Sequence, residues 1–222
     1  MTDARGQLAE PTITRLADYA PYPFQVEQVE LTFELDPLST RVTQVSLFHR
    51  VGAADAPLVL NGLDLALEAI AIDGMPLSAS AYTQVDETLT VEGVPDAFSL
   101  VVVTRISPAA NTALEGLYVS NGMFCTQCEA EGFRRITYYP DRPDVLAKFR
   151  TRIVAPADYP TLLSNGNPIA DTTRADGVRD VTWEDPFPKP CYLFALVAGD
   201  LSCVSDQFVT QSGREIGLRI YV

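Results

Sequence analysis

Apolar and polar side chains alternate with a period of two along most of this sequence, and that period belongs to strands rather than helices. Between 29 and 35, Val29, Leu31, Phe33 and Leu35 alternate with Glu30, Thr32 and Glu34, as in a strand with one face in a core. The segment 41–51 repeats the pattern and places Val45, Leu47, His49 and Val51 on one face. Further runs occupy 67–73, 88–93, 98–106, 148–155, 178–185, 191–199 and 215–222. Turn dipeptides separate them: Asn61-Gly62, Asp73-Gly74, Asn165-Gly166, Asp176-Gly177 and Ser212-Gly213. The 16 prolines fall mostly between the runs, where a missing N–H costs no ladder bond. Only 143–149 suits a turn or two of helix. Short strands at a spacing of about 8–12 residues predict an all-β fold, an antiparallel β-sandwich or saddle of sheets. No linker or repeat interrupts the pattern, so the expected organisation is a poorly ordered N-terminal arm over 1–21 and a single β domain over 22–222.

Charge and composition narrow the function. With 16 Lys+Arg against 29 Asp+Glu the net charge is −13, which argues against a nucleic-acid or anionic-membrane partner, because both are held by Lys and Arg. No apolar run reaches the roughly 18 residues of a membrane span, and the N-terminus lacks a signal-peptide core. The expected location is therefore cytoplasmic, with Cys125, Cys128, Cys191 and Cys203 as thiols. Cys125-x-x-Cys128 has no second close pair to complete a zinc site and no following helix for a redox motif. Inert, largely buried thiols are the expectation, and a thiol–metal or redox role is the alternative. The sequence holds one histidine, His49, so chemistry that needs two imidazoles cannot be completed within it.

The segment 111–143 departs from the strand period and mixes small residues, aromatics, acids and arginines. Dense, irregular loops on a rigid scaffold are where function concentrates. If 126–131 is extended, Gln127, Glu129 and Glu131 share one face, with Cys125 and Cys128 buried behind them. Such an acceptor-rich patch suits an ammonium group; pattern alone favours the plainer reading, a solvated strand face. His49 reads as a satisfied histidine at the core edge rather than a base or ligand. Arg134, Arg135, Asp141, Arg142 and Asp144, beside Tyr138 and Tyr139, read as ion pairs that pin the segment. Trp183, in a Pro-rich stretch, reads as core packing. There is no Gly-x-Ser-x-Gly elbow, phosphate-binding loop or dinucleotide fingerprint.

Four blocks carry a resemblance to a known family: SPAANTALEGLY (107–118), CTQCEAEGFRRITYYPDRPDVLAKF (125–149), LLSNGN (162–167) and WEDPFPKPCYLFALVAGD (183–200). Together they resemble the N-terminal domain of bacterial aminopeptidase N, over about Tyr22 to Val222. The resemblance implies a β-saddle domain of a gluzincin-type zinc metallo-aminopeptidase (the membrane alanyl aminopeptidase type). In that family a thermolysin-like catalytic domain, a small β domain and a helical domain follow. The catalytic His-Glu-x-x-His and the Gly-Ala-Met-Glu-Asn segment are absent from this sequence, and the resemblance places both beyond residue 222.

The implied consequences are specific. No catalytic residue and no metal ligand is expected in this chain, which alone should be inactive and hold no cofactor; zinc belongs to the full-length enzyme. The implied partners are peptide N-termini and the catalytic domain of the same protein. The family's Gln-x-Glu falls on Gln127 and Glu129, where the Glu helps bind the substrate's free α-amino group and the Gln lines the first side-chain pocket. Glu131 lies outside that pattern and is left as scaffold. The alternative, from a different class, is a freestanding β-sandwich binding module that uses 111–143 or an uncovered face. A domain separated from a catalytic partner should also expose an apolar patch and self-associate.

Overall fold

The computed structural model describes residues 15–222; the first 14 residues of the expected arm lie outside the described residues. The strands are β1 (Phe24–Glu34), β2 (Thr40–Arg50), β3 (Leu58–Asn61), β4 (Ala66–Ile72), β5 (Met75–Pro76) and β6 (Thr83–Val85). They continue with β7 (Thr88–Val91), β8 (Ala97–Ile106), β9 (Gly116–Ser120), β10 (Met123–Gln127), β11 (Leu146–Ala155) and β12 (Thr161–Ser164). The last five are β13 (Asn167–Thr173), β14 (Arg179–Pro190), β15 (Leu196–Gly199), β16 (Cys203–Val209) and β17 (Glu215–Tyr221). Only short 3-10 turns interrupt them among the described residues. The all-β class read from the alternation is what the chain adopts.

The main sheet has eight strands in the order β13-β14-β11-β1-β2-β8-β4-β5. It is mixed rather than purely antiparallel, because β1 and β11 pair in parallel from Gln28↔Lys148 to Glu34↔Val154. Smaller sheets β12-β15-β10-β9 and β3-β7-β6 accompany it, with β16-β17 as a separate two-stranded sheet. The inner face of the main sheet supplies the core: Phe48 and Phe98 stack at 5.2 Å with Phe24 edge-on to both. Phe33 stacks on Phe194, Phe149 and Phe194 meet Phe133 of the irregular segment, and Tyr139 of that segment packs against Phe133 and Phe149. Burying aromatic side chains of this size removes about 150–250 Å² each from water, the dominant favourable contribution here.

The face expected of β2 and the helix expected over 143–149 both fail, for reasons of register and strand pairing. In β2 the face read as inward (Val45, Leu47, His49, Val51) points outward, and Thr40, Val42, Gln44, Ser46 and Phe48 are buried. Register decides this, because directly opposed residues share a face. Val42 pairs with Phe33, Gln44 with Leu31 and Ser46 with Val29 across β1, and Phe48 with Phe98 across β8. The stronger apolar faces of β1 and β8 therefore carry Gln44 and Ser46 inward. His49 is half-exposed rather than at the core edge, with Nε2 3.3 Å from Glu27 Oε2.

The helix suited to 143–149 does not form. Pro143 and Asp144 make a turn, and β11 begins at Leu146. Two strand edges, β1 and β14, flank it, and Ala147, Phe149, Thr151, Ile153 and Ala155 alternate into the core. Ladder bonds and burial outweigh a weak local helix preference. Elsewhere the run at 191–199 is a 3-10 turn at Cys191–Leu193 followed by β15, and the run at 178–185 extends to Pro190.

The β16–β17 hairpin is amphipathic. Val204 opposes Ile220, Asp206 opposes Leu218 and Phe208 opposes Ile216, so the apolar side chains gather on one face. Val204 is 59% exposed, Phe208 56% and Ile220 62%, an uncovered apolar surface on an element too small to be stable alone.

Candidate functional site

The segment 111–143 is more regular than its composition suggests. Its first part folds into the β9–β10 hairpin, turned by Asn121-Gly122 and paired from Met123↔Ser120 to Gln127↔Gly116. Thr126 fastens β10 to β15: its hydroxyl donates to Leu196 O at 3.1 Å and accepts from Leu196 N at 2.8 Å. The strand ends at Gln127, so the face imagined for Gln127, Glu129 and Glu131 is not a strand face. Cys125, two residues from Gln127, shares its side of the strand and is half-buried; Cys128 alone turns into the core.

Beyond Gln127 the chain makes a tight turn. Gly132 N–H donates to Cys128 O at 2.9 Å, and the Gln127 side-chain Nε2 donates to Glu129 O at 3.1 Å. Gly132 is required by space: a Cβ there would lie 2.3 Å from Gln127 O and 2.9 Å from Gly116 N. The start of β9 and the 127–132 turn thus touch backbone to backbone. After the turn a 3-10 segment, Phe133–Arg135, buries Phe133, with Ile136 buried just beyond it, and Ile136 O accepts from the Thr104 hydroxyl at 2.8 Å.

Gln127 and Glu129 are brought together at one end of the four-stranded sheet, both exposed. Among the described residues the Glu129 carboxylate has no hydrogen-bond or ion-pair partner, while Glu131 pairs with Arg134 at 3.3 Å. The two acids of the stretch thereby separate: Glu131 braces the turn and Glu129 is left open.

The charged cluster forms the ion pairs its composition predicts. Asp141, 4% exposed, accepts at Oδ2 from Arg134 N (3.0 Å) and Arg134 Nε (3.1 Å), and at Oδ1 from the Cys191 thiol (3.1 Å). Arg134 also lies 3.5 Å from Glu87. Burial works against its charge, and the hydrogen bond and charge of Asp141 outweigh it, so its pKa rises. Arg135 pairs with Glu115 at 3.0 Å and with Asp64. Arg142 grips Asp144 at 2.7 and 2.8 Å and donates to Ala20 O at 2.8 Å. Between residues 20–23 and this cluster lies a cavity of about 520 Å³ lined by Tyr22, Val59, Asn61, Glu131 and Arg134.

Burial pushes all three thiols near the site upward, and Asp141 adds to the effect on Cys128 and Cys191. A thiolate is disfavoured at each, the opposite of what a redox or metal-binding Cys-x-x-Cys requires. Among the described residues no group of three or more His, Cys, Asp or Glu side chains is placed to hold a metal ion, so the residues present do not fit zinc. Trp183 packs against the core and donates to Leu162 O at 3.1 Å. Sequence reasoning missed Asn61 and Gly132. Asn61 read as half of a turn dipeptide, yet it bridges to Tyr139 and accepts from Asp141 N at 3.1 Å.

Comparison with known proteins agrees with this architecture. The peptidase M1 N-terminal domain profile matches residues 25–193. Aminopeptidase N of Caulobacter vibrioides is 54% identical over 212 residues, 96% of this chain and 25% of the relative. Aminopeptidase N of Escherichia coli is 53% identical, over 92% of this chain and 23% of the relative. The chain thus spans about a quarter of the length of these relatives. Aminopeptidase A of Legionella pneumophila, solved with aspartic acid, superposes with a TM-score of 0.88 at 34% identity over 94% of this chain and 25% of that one. An M1 zinc metallopeptidase of Deinococcus radiodurans shares the fold (TM-score 0.74, 18% identity, 89% of this chain and 47% of that one). With its profile match, its close relatives and its sheet architecture in accord, the chain belongs to the peptidase M1 N-terminal domain family.

Proposed function

We propose that this chain is the substrate-recognition part of a zinc-dependent aminopeptidase that removes N-terminal residues from peptides, with Gln127 and Glu129 as its contribution to the site. The observation that carries the reading is the state of Glu129: an exposed carboxylate without a partner among the described residues, on a turn whose backbone is held on both sides. An ammonium group satisfies such a carboxylate through charge-assisted hydrogen bonds of about 1.5–3 kcal/mol each once water is excluded. A carboxylate at a fixed place also measures length, since only a peptide's first residue can put its amine there and its first carbonyl at the reacting centre. Gln127 donates its Nε2 to Glu129 O, which leaves its carbonyl oxygen to face the first side chain. On this reading the metal chemistry belongs to the part of the longer relatives that this chain, about a quarter of their length, does not span.

The test uses the full-length enzyme and an alanyl chromogenic amide. Glu129→Ala is expected to lower kcat/KM by about 100-fold, since losing a charged hydrogen bond in a closed site costs roughly 3 kcal/mol. Near-normal activity would remove Glu129 from the site. The isolated chain is expected to show no turnover; metal-dependent hydrolysis by it would overturn the division of labour proposed here.

A further inference from the structure

The turn that presents Glu129 is held by a buried charge. Asp141 lies twelve residues beyond Glu129 in the sequence, is 4% exposed, and touches three separate segments. Its Oδ2 accepts from both the backbone N and the Nε of Arg134 (3.0 and 3.1 Å), and its own carbonyl accepts from Arg134 Nη2 at 3.3 Å. Its Oδ1 takes the Cys191 thiol at 3.1 Å, and its N–H goes to Asn61 Oδ1 at 3.1 Å. Arg134 in turn extends to Glu131 at 3.3 Å and Glu87 at 3.5 Å, and its carbonyl accepts from Leu63 N at 2.9 Å. A chain of contacts therefore runs from a fixed, buried carboxylate through one guanidinium to the residue two places after Glu129.

We propose that Asp141 and Arg134 are positioning residues for substrate recognition: they fix the 128–134 turn so that Glu129 meets the substrate's amine. The inference rests on the amine-anchor reading of Glu129. Its physical basis is that a buried carboxylate held by hydrogen bonds to backbone and guanidinium has one geometry. At the exposed end of the turn the Gln127 side chain donates to Glu129 O and the Gly132 N–H to Cys128 O. A pair retained only to stabilise the core would not need to reach the turn. Here the pair reaches it twice, through Asp141 Oδ2 on the Arg134 backbone N–H and through the Arg134 guanidinium on Glu131.

The experiment is a double-mutant cycle in the full-length enzyme with two inhibitors that differ only in the amine, leucine hydroxamate and its des-amino counterpart. Both present the same metal-binding group. Asp141→Asn is expected to lower kcat/KM by about 10- to 100-fold, the scale of a misplacement near 1 Å. It should weaken leucine hydroxamate by a similar factor and leave the des-amino compound unchanged. Combined with Glu129→Ala it should add less than about threefold to the loss from Glu129→Ala alone. Equal weakening of both inhibitors, multiplying losses, or unchanged kinetics would overturn the proposal. If Asp141→Asn does not fold, Arg134→Lys carries the same test, since it keeps the charge and loses the two-point grip. Glu129→Ala with full activity would sink the amine-anchor reading itself, and this inference with it. A strong effect of Glu129→Ala with multiplying losses would sink the positioning role only.

Discussion

Gly132 has no room for a side chain, and that single restriction shapes the candidate site. A methyl group there would stand 2.3 Å from Gln127 O and 2.9 Å from Gly116 N, so either the turn or the start of β9 must move. Gly132→Ala is expected to destabilise the domain by about 1–3 kcal/mol through overpacking, a fall in Tm of roughly 2–12 °C at 2–4 °C per kcal/mol for a domain of this size. Gly217→Ala is the matched control, because its methyl group meets nothing within 4 Å and its φ is ordinary; thermal unfolding of the two variants side by side decides the matter. A Tm unchanged in Gly132→Ala would show that the turn can shift at no cost. At this scale the sequence was legible for chemistry and poor for geometry. Residue type picked out Gln127, Glu129 and Glu131 together, and the family resemblance narrowed them to Gln127 and Glu129; the assignment of Glu131 to Arg134 and of Glu129 to open space depends on a turn at Cys128 that alternation does not announce.

Strands were the most legible elements, because a period of two records which face meets a core. β4, β8 and β17 lie within a residue or two of their sequence-read bounds. β2 was found but turned over, since its own pattern is weaker than those of the neighbours that set its register. The outer face of the main sheet is laced with ion pairs, and one of them links stability to pH. Asp180 receives Arg152 at 2.5 and 2.8 Å and Arg174 at 3.0 Å. The Arg152 hydrogen bond holds its pKa below the usual carboxylate range despite partial burial. A carboxylate whose folded pKa is depressed contributes stability above its unfolded pKa and loses it as pH falls through the folded value. Asp144, held down chiefly by Arg142, behaves the same way. Urea unfolding is therefore expected to show stability from these pairs at neutral pH and a decline below about pH 4, with a shallower acid decline in Asp180→Asn. An identical acid profile in that variant would show that the pair contributes nothing.

Among the described residues, the last two strands carry an apolar surface that the fold does not cover. The hairpin of β16 and β17 gathers Val204, Phe208, Leu218 and Ile220 on one exposed face, outside the residues matched by the family profile. In the isolated chain this face should drive self-association, visible as concentration-dependent sedimentation, and Phe208→Asp should return the protein to monomer without changing the unfolding of the main sheet. A wild-type chain that sediments as a monomer at all concentrations would remove the hairpin as an association surface. The sequence alone determined that the chain is all-β, that it cannot supply two imidazoles, and that its acids near 129 were worth attention, because periodicity, composition and residue type are local properties. Only the tertiary structure decided which face of β2 is buried, that the strand read at 148–155 starts at Leu146 and pairs in parallel with β1, and that Asp141 and Arg134 stand behind the turn that presents Glu129. Those outcomes come from register, strand edges and contacts between residues far apart in the chain, energies that no local pattern contains.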